Sequence, residues 1–85
     1  MEKTFKVISD NGLHARPAAN FVRVASTIPV SVTLTCNGKS NDAKSIMGVM
    51  SLQIVKGSEI TINVESEDVS LMSKLEAHLV ENNII

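Results

Sequence analysis

A chain of 85 residues makes one domain with one small core, and a domain of that size buries only about 60% or slightly more of its unfolded surface. The formal net charge of −1 argues against general nucleic-acid binding. No apolar run approaches the roughly 20 residues of a membrane span, and the single cysteine, Cys36, excludes an internal disulfide.

Residues 3–8 read as a short strand with Phe5 and Val7 on one face. Asn11-Gly12 signals a turn. Residues 15–26 then follow a helical period, with Ala18, Phe21, Val22 and Ala25 forming one buried stripe. Ser26-Thr27-Ile28-Pro29 ends that helix, because a residue before proline avoids helical geometry. From Val30 to Cys36 the chain alternates, and Val30, Val32, Leu34 and Cys36 point one way. Asn37-Gly38 is a strong hairpin signal, and the polar return strand over 39–43 suits a sheet edge. Residues 45–52 read as a short helix with Ser45 as N-cap. After the turn Lys56-Gly57-Ser58, residues 59–65 alternate with Ile60, Ile62 and Val64 inward. Asp68 then caps a last helix over 69–82, whose stripe is Val69, Met72, Leu75 and Leu79.

The order β-α-β-β-α-β-α predicts an α+β fold spanning 1–85 as one domain. It is an open-faced two-layer sandwich, a four-stranded antiparallel sheet covered on one face by three helices. Such a chain has no room to enclose a large cofactor, so function is expected on its surface.

Gly12-Leu13-His14-Ala15-Arg16-Pro17-Ala18 is the segment richest in chemistry. It puts a histidine where a loop becomes a helix, with a guanidinium two residues on. Helix N-termini bind anions through free N–H groups and the positive end of the dipole. Histidine's ordinary pKa of about 6.5 leaves a nucleophilic ring nitrogen near pH 7. His14 is thus a candidate to take up a phosphoryl group, with Arg16 supplying the fork of donors that suits phosphoryl oxygens. The heptapeptide alone leaves open a plainer reading, a solvated histidine capping the helix. Ser45 likewise reads either as a plain cap or as a phosphorylation site at a helix N-terminus.

The apolar residues of the short helix, Ile46, Met47, Val49, Met50 and Leu52, are too many to bury against one sheet. Some of them should form an exposed docking patch. Cys36 reads as a small core residue and His78 as a surface side chain. No zinc spacing, paired carboxylates, Ser-His-Asp set or glycine-rich phosphate loop is present, so no metal, cofactor or self-sufficient enzyme is expected. Residues 1–44 carry a balance of +3 and residues 45–85 one of −4. An acidic or phosphorylated partner would be steered towards His14, unless folding averages the two halves. The N-terminal Met-Glu-Lys-Thr-Phe-Lys lacks the apolar stretch of a signal peptide, so the expected location is the reducing cytoplasm.

With these residues in view, the chain resembles HPr, the histidine-containing phosphocarrier family of the bacterial phosphoenolpyruvate:sugar phosphotransferase system. Gly12–Ala18 matches the family's active-site signature. Lys44-Ser45-Ile46-Met47-Gly48-Val49-Met50-Ser51-Leu52 matches its second signature, in the form usual for Gram-positive bacteria of low genomic G+C. The resemblance implies that phosphorylated enzyme I passes its phosphoryl group to His14, that Arg16 holds the phosphoryl oxygens, and that phospho-His14 donates to a sugar-specific enzyme IIA. The docking face it implies is Ala15, Ala19 and Arg23 with Ile46, Met47 and Met50. It also implies that an HPr kinase/phosphorylase modifies Ser45, and that the modified protein serves a catabolite-control transcription regulator as corepressor. A monomer is expected, with no direct contact to nucleic acid and no membrane insertion. A regulatory relative of HPr lacks the active-site histidine, so His14 argues against that assignment. Pro29, Cys36 and the end at Ile84-Ile85 depart from the usual pattern without touching either motif. Two competing readings remain for test: a purely regulatory module working through Ser45, and a small metabolite-binding domain.

Overall fold

Alternation and helical period lay down seven elements in the expected order. The computed structural model describes residues 1–85, and contains β1 (Glu2–Lys6), α1 (Arg16–Ala25), β2 (Val32–Cys36), β3 (Lys39–Asp42), α2 (Ile46–Ser51), β4 (Glu59–Val64) and α3 (Val69–Glu81). The strands form one antiparallel sheet in the order β1-β4-β2-β3. Ile60, Ile62 and Val64 of the central strand β4 pair with Cys36, Leu34 and Val32 of β2. All six are buried on the helix side. The other face is open and polar. Thr4, Thr61, Thr35 and Ser40 stand in register across the four strands, with hydroxyl contacts of 2.9 Å for Thr4–Thr61 and 2.6 Å for Thr35–Ser40. The fold is thus an α+β open-faced sandwich.

The hairpin between β2 and β3 needs positive φ at both central residues, and Asn37 and Gly38 supply φ of 53° and 78°. α1 buries its expected stripe and α3 most of its own, and Ala18, Phe21, Val22 and Ala25 of α1 join Met72, Leu75 and Leu79 of α3 in one apolar cluster. Cys36 belongs to the same cluster, as its place on the inward side of its strand predicts.

Three expectations need correction. Val30 does not continue β2 and is only half-buried, because the ladder with β4 ends at Val32–Val64, and past it only the Glu65 amide reaches back, to the Ser31 carbonyl at 3.0 Å. Val69 is 66% exposed rather than part of the α3 stripe, since it opens the helix at its free end. The end of the chain, on which the sequence offers no reading, is anchored, for the Ile84 side chain is buried and its carbonyl accepts the Ile8 amide at 2.7 Å. His78 is half-buried rather than a surface side chain. α3 packs on α1, which brings the His78 ring to 6.3 Å from that of Phe21.

Burial pushes the His78 pKa below its ordinary value, while the Glu81 carboxylate opposes that shift. The folded protein therefore resists protonation that the unfolded chain accepts. The stability due to neutral His78 is complete above about pH 6.5 and falls as pH drops through that value, levelling once the folded state also protonates. Urea unfolding from pH 8 to pH 5 should show this decline in the wild type, and His78→Gln should remove it. An identical pH profile for the two proteins would contradict the assignment.

Candidate functional site

The loop before α1 lies against residues 53–55 so closely that only glycine fits at its start. Gly12 has φ of +59°, and a Cβ there would sit 2.1 Å from the Ile54 carbonyl oxygen. The next residue locks the contact. The Leu13 amide donates to that same carbonyl at 3.2 Å, and its side chain is fully buried. A buried Leu13 leaves His14 on the outside, exposed and with no hydrogen bond to its ring. Around it, Asn11, Gln53, Ile54 and Val55 complete a shallow groove of about 480 Å³.

Ala15, at the N-cap of α1, has φ of 54° and ψ of −119°, a region sparsely used by residues with a side chain and costing about 1–3 kcal/mol. It provides no side-chain cap, and Ala19 makes the first helical bond, to the Ala15 carbonyl. The alternative of His14 as the cap is not what the chain adopts. Pro17 has no amide, and those of His14, Ala15, Arg16 and Ala18 find no acceptor. No acidic residue lies in the first turn. The positive end of α1 is therefore bare, an arrangement that favours an anion by about 0.3–1 kcal/mol at an exposed site. Arg16 is exposed at this end and makes no ion pair.

Ser45 caps α2 as expected. Its Oγ accepts the Gly48 amide at 3.0 Å and its carbonyl accepts the Val49 amide at 2.9 Å. The turn is pinned from outside. Lys44 Nζ donates to the Ile28 carbonyl at 2.7 Å, and the Asn41 amide donates to the Gly48 carbonyl at 2.9 Å. The helix buries Val49, and Leu52 after it, but leaves Ile46 at 46% and Met47 at 79% exposure. Met50 is half-buried. Of the other expected docking residues, Ala15 and Arg23 are exposed and Ala19 is half-buried. α1 and α2 pack against each other, so these residues lie on neighbouring helices of one layer.

Sequence reasoning missed several parts of the site. Asn11, Gln53 and Val55 neighbour His14, and Ile8 and Val55 are further exposed apolar side chains. Gln53 carries φ of 53°, which no residue-type rule announces. The only available signal was the glycine at position 12. His14 and Arg16 also line different grooves, for Arg16 shares its own with the end of α3. No group of three or more His, Cys, Asp or Glu could hold a metal ion, and no helix is long and apolar enough to cross a membrane.

An exposed histidine beside an uncapped helix end, carried on an open-faced sandwich, is a surface site receptive to an anion. A family model described as the PTS HPr component phosphorylation site matches residues 1–81. The phosphocarrier protein HPr of Vibrio cholerae is 45% identical over 64 residues, covering 75% of each chain. The histidine-containing phosphocarrier protein of Mycoplasma superposes with a TM-score of 0.94 at 30% identity, over 100% of this chain and 98% of that one. Crh, the catabolite repression protein of Bacillus subtilis, solved as a swapped dimer, matches at 40% identity and a TM-score of 0.71 over 95% of this chain and 93% of that one. The chain belongs to the HPr family, the phosphocarriers of the phosphotransferase system.

The Gly12 contact yields a direct prediction. Gly12→Ala adds a Cβ inside the Ile54 carbonyl's radius, so the loop must move, and overpacking of this kind costs about 1–3 kcal/mol. Chemical denaturation should report that loss, and the amide resonances of Leu13, His14 and Ala15 should shift. Unchanged stability and spectra would show that the close approach does not hold the loop.

Proposed function

We propose that His14 accepts a phosphoryl group from phosphorylated enzyme I and donates it to a histidine of a sugar-specific enzyme IIA. A ring nitrogen of His14 attacks the phosphorus, a new N–P bond forms, and the donor's N–P bond breaks with its electron pair staying on the donor nitrogen. The second transfer repeats this with His14 as leaving group. The chain is a carrier rather than a complete enzyme and needs no metal or cofactor for this step. One observation carries the reading: an exposed, unpartnered His14 at the bare N-terminus of α1, with Arg16 unpaired at the same end. The amides supply donors for phosphoryl oxygens, and Arg16 supplies a charge-assisted fork.

Docking would use Ala15, Ala19 and Arg23 of α1 with Ile46, Met47 and Met50 of α2. Exposed apolar side chains flanked by Arg16 and Arg23, neither in an ion pair, favour a partner with an apolar, acid-rimmed surface. The protein would work in the cytoplasm as a monomer. Incubation with enzyme I and phosphoenolpyruvate should add one acid-labile phosphate, absent in His14→Ala. Arg16→Ala should slow transfer by about tenfold or more while shifting the unfolding midpoint little, since Arg16 is exposed and unpaired. No phosphate on the wild type with a cognate enzyme I would sink the proposal.

A regulatory role through Ser45 is the second reading, supported by the position of its hydroxyl at the start of α2 next to exposed Ile46 and Met47. The free amides of Ile46 and Met47 would tolerate a phosphate there. A dianion beside an apolar docking patch would desolvate badly against enzyme I. The modified form would be made by an HPr kinase/phosphorylase and read by a catabolite-control transcription regulator, in keeping with the likeness to Crh. Ser45→Asp should raise KM for enzyme I by about tenfold and leave kcat near wild type. An unchanged KM would remove the support for Ser45 control of docking.

A further inference from the structure

β3 carries no apolar side chain, although one of its positions faces the helices. Asn41 pairs with Leu34, a core residue of β2, so the register turns it to the inner side of the sheet. It is half-buried there, against α2. Its Nδ2 donates to the Gly48 carbonyl at 2.9 Å and to Ser51 Oγ at 2.8 Å. Ser51 Oγ in turn donates to the Gly48 carbonyl at 2.8 Å, and the three groups close a ring. With the amide turned over, its oxygen would meet the Gly48 carbonyl with no proton between them, so these bonds set the orientation of Asn41.

The Gly48 carbonyl needs such partners. It lies in the last turn of α2, where carbonyls lack a regular helical donor, and the Leu52 amide bonds Val49 instead, at 3.2 Å. Gly48 also lets the strand come close, since a Cβ there would stand 3.3 Å from Asn41 Cβ and from the Asp42 carbonyl oxygen. A helix of 6 residues is too short to hold its own shape, and only Val49 within it is buried. At about 100° per residue, Gly48 and Ser51 lie on one side of α2, and Ile46 and Met50 on the opposite one. A tether on the first side therefore fixes what the second side presents.

We propose that Asn41 is a positioning residue for partner docking: through Gly48 and Ser51 it sets the rotation of α2 that holds Ile46, Met47 and Met50 outward. The proposal rests on the docking reading above. Lys44, bonded to the Ile28 carbonyl, ties the start of α2 to the segment after α1. Asn41 ties the last turn to the sheet. With the first tether alone, α2 can roll about buried Val49, and an apolar side chain that rolls inward gains burial. The second tether keeps in water the apolar surface that such a roll would remove. A leucine at position 41 would fill the same space, yet it would leave the Gly48 carbonyl without that donor and let α2 settle.

Two variants test it. Asn41→Asp keeps the shape and loses both donors, and Asn41→Leu supplies the apolar residue that the alternation calls for. Each should raise KM for enzyme I by about threefold to fivefold, with kcat near wild type. In the Met47→Ala background, where the patch is already cut back, the same substitutions should add little. A wild-type KM in both variants, or an equal rise in both backgrounds, overturns the role. Hydrogen exchange tests the tether without any phosphoryl transfer. The Val49 and Met50 amides should exchange about tenfold faster in both variants, while the amides of β2 and β4 keep their rates. Unchanged exchange in α2 overturns the proposal even if His14 carries phosphate, and faster exchange upholds the tether even if enzyme I is not the partner.

Discussion

The approach of Gly12 to the Ile54 carbonyl sets the geometry of everything around His14. A Cβ at that position would lie 2.1 Å from the oxygen, closer than any packing tolerates. With no side chain in the way, the Leu13 amide reaches the same carbonyl, and Leu13 enters the core as a plug. Burying a leucine contributes about 1.5–3 kcal/mol, enough to offset the strained backbone at Ala15. The chain then enters α1 with its first amides uncapped, because neither Ala15 nor Pro17 has a group to satisfy them. A stabilising cap has been forgone where an anion would take its place.

The two helix starts are built differently. α2 has its own cap in Ser45, and two external tethers, from Lys44 and Asn41, hold its turn. α1 has no such cap, so its first amides stay open. The visible ion pairs contribute little to either. Lys3–Glu76 joins partly exposed side chains and Lys56–Asp10 largely exposed ones, the setting in which such pairs are worth about 0–1 kcal/mol. Lys56 still holds the Asp10 carboxyl below its usual pKa, and the pair ties the loop before α1 to the turn before β4. The core of apolar side chains does most of the stabilising.

The fold was legible in the sequence because period and burial agree along most of it. Ile60, Ile62 and Val64 alternate as a buried strand, Ala18 to Ala25 keep a helical stripe, and Asn37-Gly38 has the one turn chemistry a tight hairpin accepts. Errors came at ends, where tertiary context decides. Val30 has no strand partner, and Val69 lies at the free end of α3. His78 misled because helical period places it off the α3 stripe, whereas Phe21 of α1 covers that side. Of the candidate site, His14, Arg16 and Ser45 were visible from motif and capping chemistry. The groove around His14 was not, since Gln53 to Val55 meet it only through a long-range backbone contact.

The central claim is that the bare amides at the start of α1 receive the phosphoryl group carried by His14. Amide-proton shifts of the phosphorylated and free chain test it most directly. The account predicts that the amides of Ala15, Arg16 and Ala18 move downfield by the largest amounts on phosphorylation, as donors gaining an anionic acceptor do. Shifts confined to residues away from the α1 terminus, with these three amides unmoved, would contradict it.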